Sequence, residues 1–160
     1  MTAFRATFDR WAYGRPVSFE SATVRTAARP ATALVGRIFL AAIFILSGLA
    51  KFLDYDTSLS HLAGKGVPWA GGLLIIAALV EVGGGLAVAT GTVTRLGALA
   101  LVAFLVPTTL IFHDFWALAG PEKTGQMAHF MKNVAIAGGL LQLVAYGGGR
   151  FSVDHKRHHG

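Results

Sequence analysis

The chain has 160 residues, 54% hydrophobic and 14% charged, with a mean hydropathy of +0.57. Soluble domains carry about 25% charged residues, so this is the composition of a membrane protein. It has no cysteine, which excludes disulfides, thiolate nucleophiles and iron–sulfur ligation by this chain alone. The formal net charge of +6 comes from basic residues near the ends of apolar runs. A nucleic-acid interface would instead show a basic stripe with interleaved aromatics, so anionic lipid is the expected counterion.

Residues 1–33 form a head too polar to span a bilayer. Phe4, Phe8 and Trp11 recur at helical spacing, with Arg5, Asp9 and Arg10 on other faces, which predicts an amphipathic interfacial helix. The same stretch also reads as an unstructured leader, or as an Arg-rich, acid-poor transit peptide; it lacks the apolar core and cleavage site of a secretory signal. Leu34 to Leu53 is the first of four apolar segments long enough to cross a hydrocarbon core of about 30 Å, which takes about 20 helical residues. On it, Arg37, Phe44, Gly48 and Lys51 share one stripe, because Arg37 and Lys51 are nearly four whole turns apart. Each cation either snorkels to its own interface or turns inward to meet an acid.

That acid is Glu81, in the second segment, Trp69 to Thr90. At 1.5 Å per residue it lies about 18 Å from Trp69 and about 14 Å from Thr90, too deep to snorkel out at either end. Its helical neighbours Ala77, Ala78, Gly84 and Gly85 are small, a face that lets another helix approach closely and points Glu81 into the bundle. There it is either a structural partner of Arg37 or Lys51, or a group that binds ligand or exchanges protons.

The third segment, Leu96 to Leu118, contains Pro107, Thr108 and Thr109. A mid-helix proline removes one hydrogen bond and bends the axis, either making room for a ligand or leaving a carbonyl that a threonine hydroxyl satisfies. His113 and Asp114 follow near the helix end, as a proton relay or as polar punctuation at the water boundary. The fourth segment, Phe130 to Gly148, opens with Lys132 and Asn133. Lys51, His61, His113, Asp114, His129, Lys132 and Asn133 all map to one half of the bundle and outline a polar funnel above Glu81. The histidine spacing matches no metal motif, so no metal is expected. The glycines at 83–85 lie inside an apolar run and read as packing residues, not a phosphate loop. The tail, residues 151–160, reads as a solvated basic end.

These segments predict an all-α integral membrane four-helix bundle with short loops and no separate soluble domain. Ten Lys and Arg fall on the side of Arg5, Arg95 and Arg150, against Lys51, Lys65, Lys123 and Lys132 on the other. Positive residues are retained inside, so both termini are expected in the cytoplasm.

The runs Gly36-Arg37-Ile38-Phe39, Ser47-Gly48-Leu49-Ala50-Lys51-Phe52 and Gly66-Val67-Pro68 resemble the opening of DoxX-family membrane proteins. So do Glu81 followed by glycines and Gly91, the pair Phe112-His113, Lys132-Asn133, and Gly147-Gly148-Gly149 before Ser152 and Asp154. The likeness covers roughly Thr32 to Asp154, placing a four-helix domain over residues 34–150 and leaving the head outside. It implies a small bacterial-type inner-membrane protein, in a family whose named members include subunits linked to thiosulfate and quinone redox chemistry. It singles out Arg37, Lys51, Glu81, His113 and Asn133.

The expectation is therefore a membrane subunit of a quinone- or sulfur-linked oxidoreductase system. His113 would hydrogen-bond a quinone carbonyl, Glu81 would relay protons, and Lys51 or Arg37 would neutralise an anionic ligand or Glu81. Asn133 and Thr109 are further ligand-binding candidates. Electrons would come from a soluble or membrane redox partner, and a second copy of the chain is a further expected partner. Two other classes fit the same residues: a small transporter or channel for a weak acid, proton or neutral solute, and a non-catalytic scaffold in which Glu81 is a buried ion pair.

Overall fold

The computed structural model describes residues 22–159, with side chains described from 30 to 157. The expected interfacial helix around Phe4, Phe8 and Trp11 lies outside the described residues. Every regular element among them is helical: α1 (Ala22–Leu53), α2 (Tyr55–Gly64), α3 (Ala70–Thr90), α4 (Thr94–Phe112), a 3₁₀ turn (Phe115–Ala117), α5 (Gly120–Tyr146) and α6 (Val153–His159). Three stretches are long and apolar enough to cross a membrane, Pro30–Leu53, Ala70–Thr90 and Thr94–Ala117. The fourth long helix, α5, starts well ahead of the expected Phe130. Its opening turns carry Glu122, Lys123, Gln126 and His129, which dilute its hydropathy.

Helix α3 packs between α1 and α4, and α4 packs on α5, so the order around the bundle is α1, α3, α4, α5. The core where they meet is Ala41 and Phe44 of α1, Val88 of α3, Ala98, Leu101 and Leu105 of α4, and Leu140 of α5. Large apolar residues such as Phe39, Leu46, Leu79 and Val106 are exposed on the outside, as helices solvated by lipid require.

The close approaches were set by glycine. An ideal Cβ on Gly48 would lie 2.7 Å from Val82 Cγ2 and 2.9 Å from the Ala78 carbonyl, and one on Gly85 would lie 2.7 Å from Ile45 Cγ1. One on Gly84 would meet Leu101 Cγ at 2.8 Å. The small face around Glu81 is thus where α1 and α4 both press against α3.

Two elements depart from expectation. The segment after α1, read as loop, forms α2. A ten-residue helix is marginal alone, and this one is braced by Tyr55 and Leu59 against Gly71. The tail, read as a solvated end, buries Ser152 and continues as helix α6, whose Asp154 N donates to Gly91 O at 2.9 Å.

Candidate functional site

The approach of α1 to α3 at Gly48 brings Ser47 and Lys51, one turn apart on α1, directly onto Glu81. Lys51 Nζ donates to Glu81 Oε2 at 2.6 Å and to Ser47 Oγ at 2.9 Å, while Ser47 Oγ donates to Glu81 Oε1 at 3.0 Å. Both carboxylate oxygens are served. The Glu81 side chain is 5% exposed and that of Lys51 is 23% exposed. Of the two cations on the stripe, Lys51 meets the acid; the structure does not bring Arg37 to this site.

Lys51 and Ser47 form part of the wall of a cavity of about 630 Å³. The rest of the wall is mainly apolar: Leu74 and Ala77 of α3, and Phe104, Pro107 and Thr108 of α4. His61 and Leu62 of α2 and His113 after α4 complete the wall. Glu81 is not a wall residue and lies behind Lys51 and Ser47. The expected polar funnel is therefore an apolar chamber with a few polar groups in its wall. That wall includes Ile76 and Ile111, 54% and 38% exposed, so part of it belongs to the lipid-facing surface.

Helix α4 continues through Pro107 to Phe112. Pro107 has no N–H to give the Ala103 carbonyl. The neighbouring hydroxyls do not replace it: Thr108 Oγ1 donates to Phe104 O at 2.9 Å and Thr109 Oγ1 to Leu105 O at 2.7 Å.

His113 Nδ1 faces Gln126 Oε1 at 2.8 Å, and its ring stacks on His129 with centroids 5.4 Å apart. Lys132 Nζ lies 3.3 Å from His129 Nδ1. Asp114 pairs with Lys65 at 3.0 Å, not with its neighbour His113, so the expected His113–Asp114 relay is not formed. Nor are Asn133 and Thr109 brought to the chamber. Asn133 Nδ2 donates to Thr109 Oγ1 at 3.0 Å, joining α5 to α4 beside a separate cavity of about 130 Å³. Among the described residues no group of three or more His, Asp or Glu side chains is placed to hold a metal ion.

Arg37 instead organises the opposite end. It is 2% exposed, and its guanidinium donates through Nη1 to Gly148 O and through Nη2 to Phe151 O, the latter at 2.9 Å. Glycine is required around it: a Cβ on Gly91, where φ is +74°, would run into Ser152, and one on Gly148 would sit 2.8 Å from Arg37 Nη1. Beside it Asp154 accepts from Val93 N and Thr94 N, both at 2.8 Å, and from Thr94 Oγ1 at 2.9 Å. Val93 is the N-cap residue of α4 and Thr94 its first residue, so the tail carboxylate takes over the capping role at that helix start. Burial pushes the Asp154 carboxyl up, but the bonds from Thr94 and Val93 and the charge of Arg157 outweigh it and hold the group below the usual aspartate range. Sequence reasoning missed this cap. The one available signal was Ser152 and Asp154 following three glycines.

A family model described as DoxX matches residues 32–114. The chain is 34% identical over 130 residues to the inner membrane protein YphA of Escherichia coli (strain K12), covering 81% of this chain and 93% of that protein. It is 37% identical over 121 residues to the inner membrane protein YqjF of the same organism, covering 76% and 88%. It is also 32% identical over 127 residues to a Surfeit locus protein 4 homolog of Schizosaccharomyces pombe, covering 78% of this chain and 37% of that one. No solved structure matches the chain.

Proposed function

The chain belongs to the DoxX family and is an inner membrane protein, and from that premise we propose that it is the membrane subunit of a redox system that binds a quinone in the chamber beside Lys51. All four long helices cross the bilayer in this reading, with both termini in the cytoplasm, as the Lys and Arg distribution favours.

The observation that carries the reading is the chamber itself. Its volume of about 630 Å³ falls within the roughly 300–1,000 Å³ of small-molecule sites, and like them it is mostly apolar with a few convergent polar groups. Lipid-exposed wall residues such as Ile76 and Ile111 suit a ligand that arrives through the lipid. Lys51 supplies a hydrogen bond to one ligand oxygen from the wall, and His113 serves a second. If Nδ1 donates to the Gln126 amide oxygen, Nε2 of the neutral ring is an acceptor that takes the hydrogen bond of a quinol hydroxyl, and it donates to a quinone carbonyl only as imidazolium.

Glu81 is then a positioning residue. It holds Lys51 and Ser47 and stores charge behind them, so protons pass between ligand and Glu81 through Lys51 or Ser47. Quinone reduction takes two electrons and two protons; with no cysteine in the chain, the electrons come from a redox partner protein. A channel fits less well, because Phe44, Val88, Leu101 and Leu140 close the bundle between its two ends.

The test is purification in mild detergent, followed by extraction and mass spectrometry of bound lipids. Quinone is expected with the wild type and not with Ala77→Trp, which fills the chamber while leaving the Lys51–Glu81 pair intact. Absence of quinone from the wild type, or equal amounts in both, overturns the reading.

A further inference from the structure

A second large cavity, about 730 Å³, lies at the opposite end of the bundle, between the first turn of α4, Tyr146 at the end of α5, and the loop that follows it. We propose that this cavity holds the phosphoryl headgroup of an anionic membrane lipid.

Its charge balance points that way. The one carboxylate in the wall, Asp154, is committed to Val93 and Thr94. Arg95 and Arg150 also line the cavity; both are exposed, and neither is in an ion pair among the described residues. A Cβ on Gly147 would lie 3.7 Å from Arg95 Nε, so that guanidinium rests against bare backbone. Gly147 and Gly149 hold φ of +77° and +76°, which keeps this loop free of side chains where it passes the cavity. The N–H groups of Gly148, Gly149 and Arg150 meet no backbone acceptor among the described residues. Two planar guanidinium forks beside a glycine loop with these unpaired backbone N–H groups match the oxygens of a phosphate.

The rim points to a lipid source over free phosphate. Leu96 and Tyr146 stand 66% and 79% exposed beside the cavity, at the end of membrane-crossing helices, where glycerol and acyl chains would run. Lys156 and Arg157 add positive charge nearby. In the orientation proposed above, this end faces the leaflet that carries anionic lipids. Only that orientation is shared with the quinone reading, whose chamber lies at the other end.

The experiment is native mass spectrometry of the full chain in detergent, titrated with phosphatidylglycerol or with phosphatidylcholine of the same acyl chains. Preferential retention of phosphatidylglycerol is expected. Replacing both arginines, R95Q/R150Q, should lower that affinity about 25-fold, and R150Q alone about fivefold. The charge-retaining pair R95K/R150K keeps the charge but not the forks and should bind between the wild type and R95Q/R150Q. R150Q, on the exposed loop, supplies the readout if the double variant does not fold. Equal binding of the two lipids, undiminished binding by R150Q, or complete displacement by millimolar inorganic phosphate overturns the proposal. Loss of quinone binding in Ala77→Trp leaves all of these outcomes unchanged.

Discussion

Neutralising Lys51 and neutralising Glu81 are expected to have unequal costs, because the two groups differ in where they can go. Glu81 is 5% exposed and keeps only Ser47 at 3.0 Å once Lys51 is replaced by methionine. Breaking a buried pair in this way costs about 3–5 kcal/mol. In Glu81→Gln the ammonium retains Ser47 and, at 23% exposure, can turn into the chamber. The cost then falls to that of a lost charge-assisted hydrogen bond, about 1.5–3 kcal/mol. The double variant K51M/E81Q strands no charge and should lose less than the sum of the singles, with a coupling of about 1–3 kcal/mol. Reversible unfolding by SDS in mixed micelles, followed by tryptophan fluorescence, measures all four corners. If Glu81→Gln is as damaging as Lys51→Met, or if the double variant is simply additive, Lys51 is not the mobile partner and the geometry has been misjudged.

In the same assay, Gly48→Ala is expected to cost about 1–3 kcal/mol by overpacking against Val82 and Ala78. Gly83→Ala, whose Cβ meets nothing within 4 Å, should cost nothing and serves as its control. Asp154→Ala removes the cap on α4 and should cost about 1–2 kcal/mol, with faster amide exchange at Val93 and Thr94. Because the Asp154 carboxyl is held below its ordinary range, its contribution is fully present above the normal aspartate pKa and is lost as pH falls through the lower folded value. Acidification should therefore loosen α6 in the wild type and leave D154A unaffected in that window. Arg37→Lys cannot bridge both Gly148 O and Phe151 O with one point charge; hydrogen exchange across the 147–152 loop should rise in that variant, and unchanged exchange would count against Arg37 as the organiser of that end.

The apolar runs and the small residues around Glu81 made the long helices and their tightest contact legible in advance, because both are properties of one-dimensional spacing. What spacing left undecided was which cation would meet Glu81. Arg37 and Lys51 share a stripe, and only the depth of α3 relative to α1, fixed by the Gly48 and Gly85 contacts, puts Lys51 at the right level. Asn133, read as part of the funnel, and Thr109, read as a ligand-binding candidate, lie away from the chamber for a related reason. They occupy the correct half of the bundle but face each other across α4 and α5, and a depth estimate contains no azimuth. The Asp154 cap was illegible because it joins residues 60 positions apart through a tail that composition alone marks as solvated.

The two cations of α1 also divide their chemistry by type. Arg37 is planar and buried, and its fork spans two carbonyls, a fixed structural bridge. Lys51 is a point charge on a flexible stem, partly exposed to the chamber, held by Ser47 in the wall and by Glu81 behind it, from which it can reach forward. A ligand oxygen must compete with Glu81 for that ammonium. It follows that quinone binding, measured by retention after purification, should be lost in Lys51→Met but kept or strengthened in Glu81→Gln, where the competitor is weaker. The opposite pattern, retention without Lys51 and loss without Glu81, would place the carboxylate itself against the ligand and contradict its seat behind the chamber wall.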